Sequence, residues 1–334
     1  MAGPLPDWMT AHDQRALKFE QQAQDHTAAA LKLALADAAR RLAAEYIKAV
    51  GKLDQPVPPT AQSSLRAALR RIVTALATGM VSELPALISA LTDIAEQGLR
   101  LGAHASPGRP RRTQLAQSAE LRAAIRRTEK TLRDQIAEMQ QQAAAADLRT
   151  FGDVTTVIAK GQQVVNKAQA AAAWAANRAV NEGARAVADR SKSPVLWVAE
   201  PGACLTCLAY AGHLAEPGEP FPAGLTFGDK STVDEPIDGP PAHPWCRCRL
   251  QPWYGTEPQF GVELPTALKR EAQRQVLRGK SLYASRPAKL RAADRLLKTS
   301  LSGLPEHVKL TAAHKVQAGV MAWALPKRPH TTKP

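Results

Sequence analysis

Four cysteines and one histidine stand in two short clusters, Cys204-Leu-Thr-Cys207 and His243-Pro-Trp-Cys246-Arg-Cys248, and the chain has no other cysteine. A C-x-x-C turn offers two thiolates from one knuckle. A second Cys/His set carried across by the chain completes the tetrahedral shell that zinc prefers. Five candidate ligands, Cys204, Cys207, His243, Cys246 and Cys248, compete for about four places, and spacing does not choose among them. The competing reading is four free, partly buried cysteines beside a solvated histidine; their gathering between Cys204 and Cys248 favours metal. A thioredoxin-type redox pair needs a strand before it and a helix opening at Cys204, a context that Glu200-Pro-Gly-Ala-Cys204 does not suggest. A zinc ion held by four protein ligands is closed to substrate, so the expected role is to staple a small fold rather than to activate water.

Other reactive side chains are scattered. His213, Asp229, Asp234, Glu235 and Asp238 lie between the two half-sites and are the residues a metal-dependent nuclease would have to recruit. They show no His-Asp-His or similar spacing, and Glu216-Pro-Gly-Glu-Pro220 and Asp238-Gly-Pro-Pro241 read as turns. His307 and His314 are seven apart and share a helical face without forming a recognisable site. No phosphate-cradling G-x-x-x-x-G-K-Ser/Thr loop and no G-x-S-x-G elbow occurs. No catalytic residue is expected.

The elements that must position the cysteines read as mainly helical. Thr10–Val50 predicts one or two helices ending at Gly51 and the Pro-rich Gln55–Pro59. Leu65, Leu69, Ile72, Val73, Leu76 and Met80 follow a helical face, and Pro85 is expected to begin or kink a successor. Ala105–Arg112, with two prolines and three arginines, reads as an exposed loop able to touch phosphate. Leu121, Ile125, Leu132, Ile136 and Met139 form a narrow stripe suited to a partner helix, and Val154–Arg190 reads as a long helix. From Pro194 to Phe260 the chain turns rich in Pro, Gly and aromatics and predicts short strands around the metal. The fold class is therefore mainly α with a small zinc-stapled α+β module and a basic helical tail. The expected segments are 1–150, helical and available for docking; 151–262, carrying the metal site; and 263–334, the tail.

The chain of 334 residues carries a formal charge of +14, which favours a polyanionic partner. From Leu264 to Pro334 there are 15 Lys and Arg against 3 Asp and Glu. Lys269, Arg270, Arg274, Arg278, Lys280, Arg291 and Arg295 are the expected contacts to double-stranded DNA, made to the backbone without reading sequence. Tyr283 and Trp323 alone interleave this segment, too few for a single-strand stacking platform. No secretory signal and no uncharged apolar run of membrane length is evident, so synthesis in the cytoplasm and no membrane or small-molecule partner are expected.

The order of motifs resembles the phage Mu F-like head morphogenesis family, in which an Asn-rich helical stretch ending in Gly precedes a Trp-containing strand, C-x-x-C, a Gly and His-Pro-x-Cys-Arg-Cys. The matching pieces are Asn177-Arg-Ala-Val-Asn181-Glu-Gly183, Val195-Leu-Trp197-Val, Cys204-Leu-Thr-Cys207, Gly212 and Pro241-Ala-His243-Pro-Trp-Cys246-Arg-Cys248. They span about Val154 to Pro252, under a third of the chain. Leu205 stands where the family has Pro and Ala211 where it has Asp; neither change removes a candidate ligand. The resemblance implies a structural component at the portal vertex inside the capsid, bound to the portal and other capsid proteins, with roles in head assembly and DNA packaging or delivery. It does not imply catalysis, although toxin domains are fused to such modules.

Overall fold

A computed structural model describes residues 7–104, 116–243, 245–255, 258–259, 262–299, 301 and 303–318. The Ala105–Arg112 stretch expected as a loop lies outside them. Eight helices are described: α1 Asp7–Val50, α2 Pro59–Ala103, α3 Ala119–Ala145, α4 Phe151–Ser191, α5 Leu205–Tyr210, α6 Leu264–Leu277, α7 Arg286–Leu297 and α8 Glu306–Gln317. The strands are short: β1 Val195–Val198, β2 Leu214–Ala215, β3 Arg249–Pro252, β4 Pro258–Gln259 and β5 Val262–Glu263. The mainly helical class with a small β module is as the sequence reads.

Local chemistry accounts for most boundaries. Gly51 takes a left-handed φ of 97° and its N–H reaches the Ile47 carbonyl at 2.7 Å, closing α1 in the manner open to glycine. Ser118 caps α3 by accepting from the Leu121 N–H at 3.0 Å, and the predicted stripe Leu121, Ile125, Leu132, Ile136 and Met139 is buried. The expectation at Pro85 needs correction, because α2 runs through it and no new helix begins there. Proline removes one backbone N–H donor, and burial of Leu84, Leu87 and Leu91 around it offsets that loss. By length and composition α2 is also apolar enough to cross a membrane, yet Leu69, Ile72, Val73, Leu76 and Met80 on it are buried by the protein itself.

The chain forms two compact units that do not follow the three linear segments: Lys18–Gln97 with Ala116–Ala176, and Met1–Leu17 with Gly98–Leu115 and Asn177–Pro334. In the first, Gly161 lets α4 come close to its neighbours, since a Cβ there would fall 2.5 Å from Leu35 Cδ1 and 3.4 Å from Met139 Sδ. Tyr46 donates to the Gln55 carbonyl at 2.7 Å and meets Phe151 edge-on at 5.1 Å.

The second unit holds an antiparallel sheet in the order β2-β1-β3, with Trp197 opposite Leu250 and Leu196 opposite Leu214. Trp197 is fully buried, stacked on Tyr210 at 4.8 Å and edge-on to Phe221 at 5.2 Å. The segment after Glu263 is not an appendage. Ala272, Val276 and Leu277 of α6, Ala292, Ala293 and Leu296 of α7 and Val308 of α8 share one core with Trp197, Cys207 and Cys246. A basic outer face on an apolar inner one hides this role in the composition, where the charge dominates.

Candidate metal centre

Each ligand is placed by a different local structure. Cys204 is the N-cap of α5, in extended backbone, and its sulfur accepts from the Cys207 N–H at 3.3 Å. This corrects the reading that no helix opens at Cys204: the thiol does what a serine hydroxyl does at a cap. With β1 before it, the local context is strand then helix, but two further thiols lie within reach, which suits a metal knuckle better than a redox pair. On the other side, Cys246 N–H closes a turn onto the His243 carbonyl at 3.1 Å, through Trp245 at a left-handed φ of 65°. Cys248 immediately precedes β3, where Asn181 of α4 receives the Leu250 N–H at 2.7 Å and donates to the Cys248 carbonyl at 3.2 Å.

These placements bring all five candidates together. Cys204, Cys207 and His243 form one triad and Cys207, Cys246 and Cys248 another, each with its ligand atoms mutually within 4.8 Å. Cys207 is the shared vertex, 3.6 Å from Cys246 Sγ and 3.7 Å from His243 Nε2. Metal–sulfur bonds of about 2.3 Å at tetrahedral angles require ligand–ligand edges of about 3.8 Å, and these two edges fit. Cys207, Cys246 and Cys248 are buried and Cys204 partly so. His243 is steadied edge-on by the Tyr283 ring at 5.6 Å, and Tyr283 donates to the Trp245 carbonyl at 3.4 Å.

The electrostatics favour a cation. Hydrogen bonding from Cys207, helped by His243, pulls Cys204 down to about 5. Hydrogen bonds from Cys207 and Cys248 hold Cys246 well below the ordinary thiol value. Cys207 is pushed up by its bonds to Cys204 and Cys246. At Cys248 the bond to Cys207 pulls down, but bonding to Cys246 and burial outweigh it and raise the value. Cys204 and Cys246 are thus the thiols that give up a proton most readily, and a bound cation would displace protons from the others. The site can hold a metal ion.

No family model, curated protein or solved structure matches the chain.

The other expected site residues disperse. Asp229 is clamped by Arg291 and Arg295, each at 2.5 Å, and the Arg291 bond holds its carboxyl low. His213 Nδ1 donates to the Tyr210 carbonyl at 3.3 Å and is pushed down by burial. Asp234, Glu235 and Asp238 are exposed, and the only metal-competent groups among the described residues are the two Cys/His triads. Of the cations expected to face DNA, Arg274 pairs with Glu271 at 2.9 Å. A Cβ at Gly303 would fall 2.3 Å from the Arg270 guanidinium carbon, so that side chain lies over the glycine. The Lys269 backbone packs on Gly212, where an added Cβ would meet the Pro265 carbonyl at 2.1 Å and the Lys269 nitrogen at 3.0 Å. Arg278 and Lys280 flank the end of α6.

Sequence reasoning named residues 177–183 only as a motif piece and missed their role as struts behind the site. Asn177 and Asn181 bond each other at 2.8 Å, Arg178 pairs with Glu182 at 2.8 Å while buried, and Arg185 donates to the Glu219 and Asp238 carbonyls. The available signal was polar residues recurring every four positions along an alanine-rich helix. His12 and Gln251 were missed as well. Gln251 Nε2 donates to His12 Nδ1 at 3.3 Å and His12 Nε2 donates to the Leu101 carbonyl at 3.2 Å.

Proposed function

We propose that this chain is a minor head protein of a tailed-phage capsid, of the Mu F-like kind, whose Cys/His cluster holds a structural zinc ion. The observation that carries the reading is the convergence of the motif pieces on one site. Asn181 bonds the strand that follows His-Pro-Trp-Cys-Arg-Cys, and Trp197 underlies the C-x-x-C helix through Tyr210, while Gly183 packs on the α2 backbone at Leu99 and Gly212 on the α6 backbone at Pro265. Separated residues that act as one construction are what a module-defining signature needs. Soft thiolates with one imidazole at tetrahedral spacing suit zinc, and Cys207 and Cys246 with two of Cys204, His243 and Cys248 would hold it. Bound there, the ion cross-links α5 to the turn before β3 and supplies no open position for a substrate.

In this reading the chain sits inside the capsid at the portal vertex, contacts portal and capsid proteins, and touches packaged duplex without sequence preference. Quantitative mass spectrometry of gradient-purified particles from the strain that encodes it decides the matter: a few to a dozen copies per portal ring is the expected result. Absence from particles with the chain abundant in infected cells overturns it and turns attention to nuclease assays with added divalent metal.

A further inference from the structure

The four sulfurs of the cluster differ in exposure. Cys207, Cys246 and Cys248 are 0%, 3% and 1% exposed, whereas Cys204 is only partly buried. Cys204 is therefore the thiol that a small solute reaches without opening the fold, and access is a first condition for thiol oxidation. A second condition is a neighbouring thiol to resolve the oxidised sulfur. Cys207 supplies it: the two sulfurs lie within 4.8 Å of each other in one triad, and the Cys204 sulfur is held over the start of α5 by the Cys207 N–H at 3.3 Å. Cys207 is also the vertex common to both triads, so a bond that engages its sulfur removes a donor from each.

We propose that Cys204 is an oxidation site for small hydroperoxides, and that the disulfide it then forms with Cys207 releases the bound ion. This rests on the reading that the cluster holds a structural metal; it is independent of whether the chain is found in particles. The Cys204 sulfur attacks the peroxide, whose O–O bond breaks to leave one oxygen on sulfur as a sulfenic acid and the other as water or an alcohol. The Cys207 sulfur then forms the S–S bond as the S–O bond breaks, and the departing hydroxide leaves as water. Two thiolates lose two electrons to the peroxide, two protons come from solvent, and the metal dication departs. His243, Cys246 and Cys248 remain, one donor short of a closed tetrahedron. The new bond does not restore the lost cross-link. An ion held by Cys207 and Cys246 joins residues 39 apart in sequence, whereas a Cys204–Cys207 bond closes only the first turn of α5, and short loops constrain the unfolded chain least. Oxidation exchanges a long-range staple for a local one, and the turn before β3 loses its tie to α5.

The test uses the full-length chain, reduced and loaded with zinc alone, then exposed to hydrogen peroxide. A colorimetric chelator reads released zinc against a peroxide-free control, and peptide mass spectrometry locates disulfides. Zinc should leave in a fast phase, the peptide carrying Cys204 and Cys207 should become lighter by two hydrogens, and a thiol reductant with added zinc should reverse both. Cys204→Ser leaves Cys207, His243, Cys246 and Cys248 in place; it should keep most of its zinc and lose the fast phase. Disulfide mapping on the unaltered chain decides the question should that variant fold poorly. Three results would each overturn the proposal while the metal reading stands: a disulfide joining Cys207 to Cys246 in place of Cys204, zinc retained through peroxide treatment, or a fast phase intact in Cys204→Ser. A chain that takes up no zinc before peroxide is added overturns the metal reading and the proposal together.

Discussion

At the scale of single residues, Cys207 is the position on which the metal site turns, because it alone belongs to both triads. Cys207→Ser should lose bound metal and lower the melting temperature, with Cys204→Ser, at the less buried edge, losing less. Zinc content by mass spectrometry and thermal unfolding check both, and a full metal complement in Cys207→Ser would sink the site. A chelator should destabilise the unaltered chain and leave Cys207→Ser nearly unmoved. His12 makes a separate, pH-dependent contribution. Burial pushes its value from 6.5 down to about 4, and its ring is 1% exposed. Because the folded value is the lower one, the contribution is fully present above about pH 6.5 and is lost as pH falls toward about 4. It amounts to roughly 3 kcal/mol at most. His12→Gln should flatten the fall of melting temperature with pH across that window, and an unchanged slope would refute the assignment. The cysteines were legible because their chemistry is written in residue type and close spacing. His12 was not, since its partner Gln251 is 239 residues away and a lone histidine on a helix carries no local mark.

At the scale of elements, the crossing of α2 with the later part of α4 depends on two glycines. A Cβ at Gly102 would lie 1.9 Å from the Val180 carbonyl oxygen, and one at Gly183 would lie 2.1 Å from the Leu99 carbonyl oxygen. The obstructing atoms are backbone on both sides, so neither helix can yield by a rotamer change. Gly183→Ala should destabilise by about 3 kcal/mol, the upper part of the range for overpacking, whereas Gly79→Ala, with open space around it, should be neutral or slightly stabilising through helix propensity. Denaturant unfolding of the two variants compares them directly. Helix existence was legible here from periodicity, and α3 and α4 begin within a few residues of where the apolar stripes start. The reason for Gly183 was not, because a close approach is a property of two helices and the sequence displays them one at a time. The helix at Cys204 was obscured for a different reason: cysteine seldom serves as a cap, and here it does.

At the scale of the whole molecule, the C-terminal helices are part of the core rather than cargo beside it. A chain stopped after Glu263 would lose Val276, Ala293 and Leu296 from contact with the cluster that includes Trp197 and Cys207 and should aggregate or melt without a cooperative transition; a soluble, cooperatively unfolding truncation would refute this. The mainly helical class and the short strands beside the cysteines could be read from composition and pattern. The grouping of elements could not, because it is decided by contacts far apart in sequence. One unit gathers Met1–Leu17, Gly98–Leu115 and Asn177–Pro334, while the other is complete at Ala176. Translation releases the chain in order, at about 5–20 residues per second. The first turns of α1, with His12 among them, therefore emerge early and cannot be enclosed until β3 and Gln251 have been made, tens of seconds later at the slower rate. For that interval a segment destined for the interior is open to water, chaperones and any partner present during synthesis.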